Sequence, residues 1–330
     1  MAAYKDGLRY FSEAYGPYPF KDIRLAETSS YGPHDASMTT FETYAEGHCW
    51  NADFTDPNQF DYCYFNTTIG LAQQWWRFCV APNATVGSLV IPEGLARYSA
   101  LVMAEKKYGK ANIKRILQDQ LWPYLFIRRR DKNEHPLIRA NRWYEWSGKA
   151  SVALYALRDL IGEDSLNAAL RDFKNAYAFK SQPPFAGTND LYRYLQKHVP
   201  DSLQYFLTDT WQKITLYDNK MTSLSAVPTG NKNEYKVTLS VEAKKIWMDD
   251  KDNEINAKDM SDYIDIGIFG ANTTNKEGRS EANPLYLHKY KLTAGQHTIT
   301  VIVKGKPVNA GIDPYAILID RQPNDNMKRF

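Results

Sequence analysis

"TTIGLAQQWWRFCVAPN", residues 67–83, is the stretch on which the fold turns. Asn66 before it has the side chain of an N-cap, so the sequence predicts a helix from about Thr67 to Cys79. Ile69 and Gln73 stand one helical turn apart and share a face. Gly70 lies inside the helix, where glycine costs up to ~1 kcal/mol against a good helix former. Replacing it is therefore expected to stabilise. Trp75 and Trp76 read as core packing, and Ala81-Pro82 closes the stretch.

On either side the pattern is mostly helical to about residue 220. "YGPYPFKDIRLAET" is a turn followed by a strand, and a loop-rich stretch runs on to about Asp61. Pro92 suits the first turn of the next helix and Gly109 its end. Further helices are expected at about 111–127, 148–161, 164–177, 188–197 and 201–212, with Gly162 separating two of them. Residues 234–320 alternate instead. "EYKVTLSVEA" puts Tyr235, Val237, Leu239 and Val241 on one face of a strand, "DYIDIGIFG" and "HTITVIVKG" repeat the period, and "YAILID" near the end has a strand pattern. Two domains are expected, 1–220 mostly helical and 221–330 all-β, the second a sandwich of roughly 100 residues.

Bulk properties exclude several classes. The net charge of +3 gives no electrostatic case for a nucleic-acid partner. Arg128–Arg130 reads as a solvated helix end. Three cysteines, Cys49, Cys63 and Cys79, are too few and too odd in number for a disulfide scaffold, although one bridge stays open. No apolar run reaches the ~18 residues of a membrane span. The chain opens abruptly in an apparent helix, "AAYKDGLRYFSEAYG", as a segment of a longer protein would, with Met1 an added start.

Four segments in order, "LRYFSEAYGPYPFKDIRLAET", "AQQWWRFCVAPN", "PEGLARYSALVMAEKKYG" and "GKASVALYALRDLIGED", resemble the catalytic domain of gluzincin metallopeptidases of the aminopeptidase-N and leukotriene-A-hydrolase type. "PVNAGIDPYAILIDRQPNDN" is similar to the end of the β-domain in a bacterial subfamily fused to ABC-type permease segments. The resemblance covers nearly the whole chain. It implies an α+β multidomain fold: a thermolysin-like (gluzincin) mostly helical domain followed by an immunoglobulin-like β-sandwich. It also implies a soluble domain of a membrane protein, with membrane segments elsewhere in the same chain and the extracytoplasmic side favoured.

In that family two His one turn apart grip zinc, a Glu between them activates the bound water, and a Glu from the next helix completes the ligands. A Tyr stabilises the oxyanion and an edge-strand Glu holds the substrate amine. Carried over, the zinc His positions fall on Ile69 and Gln73, the general base on Gly70, and the oxyanion Tyr on Ser147 in "WSGKAS". The third-ligand Glu is kept as Glu93, and the amine-binding Glu falls on Glu46 in "YAEGHCW". Ile cannot bind metal, Gly cannot take a proton, and Gln is a poor zinc ligand. The reading is a pseudo-peptidase that keeps Glu46 and Glu93 for substrate binding and holds no zinc. It would bind a peptide or protein in the former cleft or scaffold a transporter.

The alternative is an active metallo-aminopeptidase with a non-standard metal site drawn from His48, Cys49, Cys63, Cys79 and Glu93. His34, His135, His198, His288 and His297 show no ligand spacing. Without zinc Glu93 needs a partner, and Arg97 one turn along is the expected one. Ser147 near Lys149 lacks the elbow and positioned base of a serine hydrolase.

Overall fold

A computed structural model describes residues 1–29, 36–46, 55, 58–131, 133–249 and 253–330. Two compact units emerge. One comprises 1–109 and 119–212, the other 110–118 and 213–330.

The first unit is helical around a small sheet. Strands β1 (Arg24–Thr28) and β3 (Phe41–Ala45) pair in parallel, and β2 (Ala36–Met38) adds antiparallel to the other side of β3. Helix α1 (Ala2–Tyr15) packs on α2 (Tyr62–Gln73), and α2 packs on α3 (Gly94–Tyr108). Helix α2 starts five residues before the expected Thr67. Its cap is Asp61, whose carboxylate accepts from Tyr64 N at 2.7 Å, and Asn66 lies inside the helix. Beyond Gln73 the helix widens into a π-helical turn, Gln74–Cys79.

That turn buries both Trp75 and Trp76 completely. Trp75 Nε1 donates to Gly16 O at 3.0 Å and Trp76 Nε1 to Ser99 Oγ at 3.2 Å. Each indole thus keeps its one donor satisfied in the core. Gln74 is equally buried and acts as a clip. Its Nε2 donates to Met38 O and its Oε1 accepts from Thr40 N, both at 3.0 Å, tying the β2–β3 turn to the end of α2.

Helix α3 ends where Gly109 takes φ +82°, a conformation that suits glycine. Then follow α4 (Lys110–Ile127), α5 (Ala150–Ile161), α6 (Glu163–Tyr177), α7 (Thr188–His198) and α8 (Gln204–Gln212), close to the periodicity reading. A second π-helical turn, Glu145–Lys149, leads into α5.

In the second unit the strands pair antiparallel. The larger sheets are β13 (Gly295–Lys304), β6 (Glu234–Ala243) and β5 (Lys220–Pro228), and β12 (Pro284–Thr293), β9 (Ser261–Phe269), β14 (Asn309–Ile312) and β15 (Met327–Arg329), in those orders. A third sheet joins β4 (Thr215–Tyr217), β7 (Lys245–Met248) and β8 (Glu254–Asn256), and β10 (Thr273–Thr274) pairs with β11 (Ser280–Glu281), so this unit takes up residues 213–220 as well as 110–118. In β6 the residues Val237, Leu239, Val241 and Ala243 are buried and their neighbours are not, as the alternation predicts.

"YAILID" is not a strand. The Asp313 carboxylate accepts from Ile317 N at 2.9 Å and Leu318 N at 3.0 Å, and Asp313 and Ala316 take positive φ. The segment is a side-chain-capped turn with apolar residues packed inward.

Candidate functional site

Four of the six carried-over positions meet. Ile69, Gly70 and Gln73 from α2 and Glu93 at the N-terminus of α3 line one cavity of about 490 Å³. Ala36, Ser37, Thr43 and Tyr44 from the small sheet complete it with Asn66, Arg77 and Arg97. The Ser37 hydroxyl donates to Gly70 O at 3.3 Å and so holds edge strand β2 against α2.

Glu46 and Ser147 do not line the cavity. Glu46 follows β3 and is exposed. Ser147 is buried in the turn before α5, where its hydroxyl donates to Trp143 O at 2.5 Å. A Ser–Lys couple is not built either. The buried Lys149 ammonium lies 2.5 Å from Glu134, which also takes Arg128 Nε at 2.9 Å and the Tyr124 hydroxyl at 2.5 Å.

Glu93 has found a cation, but not the expected one. Arg77 Nη2 stands 3.4 Å from Glu93 Oε1, and Arg77 Nη1 reaches Gln73 Oε1 at 3.5 Å. Gln73 Nε2 donates to the same Glu93 oxygen at 3.3 Å. Arg97 makes no such pair. Its Nη1 reaches Gln120 Oε1 at 3.5 Å, its Nε is buried without a partner, and Glu93 supports its charge only through space. Burial pulls the Arg97 guanidinium below its ordinary value. Arginine nonetheless stays charged in proteins.

A zinc ion does not fit this donor set. Of the carried-over ligand positions, Glu93 is engaged by a guanidinium and an amide, Ile69 offers no donor, and Gln73 is spent on Glu93 and Arg77. Among the described residues no group of three or more His, Cys, Asp or Glu comes together in metal-binding geometry. Cys63 and Cys79 do not line the cavity. His34, His48 and Cys49 lie outside the described residues.

The most consequential residue was invisible in the sequence. Glu42, on β3, is fully buried and points its carboxylate at Gly70. Its Oε2 accepts from the Tyr4 hydroxyl at 2.9 Å and from the Tyr44 hydroxyl. A Cβ on residue 70 would fall 3.0 Å from Glu42 Cδ and 2.7 Å from Tyr44 Oη, and closer still to Glu42 Oε2. The glycine is therefore required by close approach. Replacing it does not gain the ~1 kcal/mol that helix propensity suggests. The only sequence trace of this arrangement is a lone Glu between aromatics in "FETYA".

Burial pushes the Glu42 carboxyl up to about 7, against hydrogen bonds from Tyr44 and Tyr4 that pull it down. A carboxyl whose folded-state pKa is raised stabilises the fold below its unfolded value and loses that contribution as pH rises through the folded one. The wild type is thus expected to lose on the order of 3 kcal/mol through this group between pH 4.5 and about 7. Glu42→Gln keeps a carbonyl for both tyrosine hydroxyls and cannot ionise. Urea unfolding at pH 5 and pH 8 should show the variant gaining on the wild type at the higher pH. An unchanged difference at the two pH values would rule out Glu42 as a buried titrating group.

No protein-family model matches the sequence, and neither does any curated protein. Among solved structures the chain is similar to Legionella pneumophila aminopeptidase A in complex with aspartic acid. The TM-score is 0.53 at 12% identity, over 96% of this chain and 34% of that one. It is also similar to an M1 zinc metallopeptidase of Deinococcus radiodurans, solved as a mutant bound to a Tyr-Ser-Ala substrate. There the TM-score is 0.46 at 18% identity, over 62% of this chain and 42% of that one. The chain thus spans about a third of the length of the Legionella enzyme. The fold, α+β with helices and several β-sheets, is aminopeptidase-like across nearly the whole chain.

Proposed function

We propose that this chain is a metal-free aminopeptidase-like protein whose cleft binds a peptide without hydrolysing it. One observation carries the reading: Glu93 is neutralised by the Arg77 guanidinium and held by the Gln73 amide, where an active relative would use the same carboxylate on zinc. Gly70 supplies no base, and Glu42 fills the space its side chain would need. Loss of a general base alone costs ~10²–10⁴-fold, and loss of the metal also removes activation of the attacking water. The cleft itself remains open, lined by hydrogen-bonding side chains of a size to take a few residues of peptide. The sequence resemblance to permease-fused relatives supports a place beside transporter segments. Among the described residues no helix is long and apolar enough to cross a membrane.

The test is metal content and activity together. Protein purified without chelator should carry well under one zinc per chain, hydrolyse no aminoacyl anilide with zinc added, and melt at the same temperature with and without EDTA. Stoichiometric zinc with hydrolysis would instead establish an active enzyme with a non-standard site.

A further inference from the structure

The cleft has an unbalanced charge. Among the described residues its charged lining is Arg77, Arg97 and Glu93, two cations against one anion. Glu93 cannot satisfy both. Arg77 touches it at 3.4 Å with one nitrogen, and Arg97 is left with a single 3.5 Å contact to a neutral amide and a buried, partnerless Nε. A guanidinium carries five N–H donors, and a buried one without acceptors is costly. The Nε itself is closed off, but Arg97 lines an open cavity, where a ligand oxygen can approach the rest of the guanidinium.

We propose that the cleft recognises the C-terminal carboxylate of a short peptide on the guanidinium groups of Arg77 and Arg97. This rests on the reading of the cleft as a peptide site. A singly charged carboxylate brings the three-residue cluster to neutrality, whereas a phosphate with nearly two charges would overshoot. Arginine suits a planar, two-oxygen anion through paired N–H donors. Ser37, Thr43, Tyr44 and Asn66 also line the cavity, neutral and hydrogen-bonding, which fits peptide backbone behind the carboxylate. The polarity is the reverse of amine capture by acidic residues. The positive charge that a metal would have supplied in this cleft is supplied by arginine.

Calorimetric titration of the full chain with trialanine, trialanine amide and inorganic phosphate tests this. The free acid should bind, and the amide should bind at least about tenfold more weakly, the loss expected for one charge-assisted hydrogen-bonded contact. Arg77→Gln and Arg97→Gln should each weaken the acid about tenfold while leaving the amide unchanged. Arg77 is the safer variant because 40% of its side chain is exposed. Melting curves identify a variant that has lost its fold, and the acid–amide comparison on the parent stands without either. Equal affinity for acid and amide would overturn the carboxylate assignment and leave the peptide site intact. Tighter binding of phosphate than of trialanine would overturn it in favour of a phosphate site. Binding of neither tripeptide would remove the peptide site and this inference together.

Discussion

Gly70→Glu should destabilise the protein by about 3 kcal/mol or more, although it replaces a helix-interior glycine with a good helix former. Two effects add. The new Cβ must displace the Glu42 carboxyl group and the Tyr44 hydroxyl, and both belong to a buried cluster with little room to relax. The new carboxylate would also lie beside the Glu42 carboxylate, and like charges in one buried site resist ionising together. The expected readout is a large fall in the urea midpoint or loss of soluble protein. Glu42→Ala in the same chain should recover much of the loss, because it vacates the space and removes the second charge. A coupling energy of roughly 2 kcal/mol between the two positions is expected, within the range for residues in direct contact. If Gly70→Glu folds like the parent, or if Glu42→Ala rescues nothing, the two residues do not compete for one volume. The claim that the strand carboxylate replaces the helix side chain then fails.

This competition also marks how far the sequence could be read. Local periodicity is enough for α5, α6 and α7, whose ends at Gly162 and His198 agree with the spacing of apolar residues. It is enough for β6, where burial follows the alternation. It fails where one side chain overrides the pattern. Asp61 begins α2 early, because Tyr62, Cys63, Tyr64 and Phe65 offer no polar contrast from which to read a boundary. Asp313 folds "YAILID" into a turn by accepting two backbone N–H groups, a choice that alternation cannot register.

The site divides in the same way. That Ile69 and Gln73 share a face was legible from helical spacing, and that Gly70 and Glu93 join them in one cavity was implied by the family resemblance. The partner of Glu93 was not. An i,i+4 rule selects Arg97, but the π-helical turn that begins at Gln74 widens the backbone just before Arg77, and it is Arg77 that reaches Glu93. Glu42 could not be found at all without the third dimension, since its partners Tyr4, Tyr44 and Gly70 come from α1, β3 and α2.

Building a zinc site in this cleft should therefore need three changes rather than two. Ile69→His and Gln73→His would place two imidazoles one turn apart on α2, facing the cavity that Glu93 also lines. Helical spacing together with the family resemblance suggests that this pair, with Glu93, completes a three-ligand zinc site with an open fourth position. The Arg77 guanidinium stands in the way. It sits 3.4 Å from the Glu93 oxygen that would bind zinc, and its charge opposes a divalent cation in the same space. The double variant is expected to take up zinc at least about tenfold more weakly than the triple variant that adds Arg77→Ala. The triple variant should bind zinc at micromolar concentration. It should also be stabilised by the metal, by about 2.7 kcal/mol at a free concentration a hundred times the Kd. Catalysis is not expected to return, because Gly70 still provides no base and cannot be changed to Glu while Glu42 occupies its space. Equal zinc affinity in the double and triple variants would show that Arg77 does not hold the metal's place. A folded triple variant that takes up no zinc would show that residues 69 and 73 do not converge on Glu93, and the description of this cleft as a former metal site would fall with it.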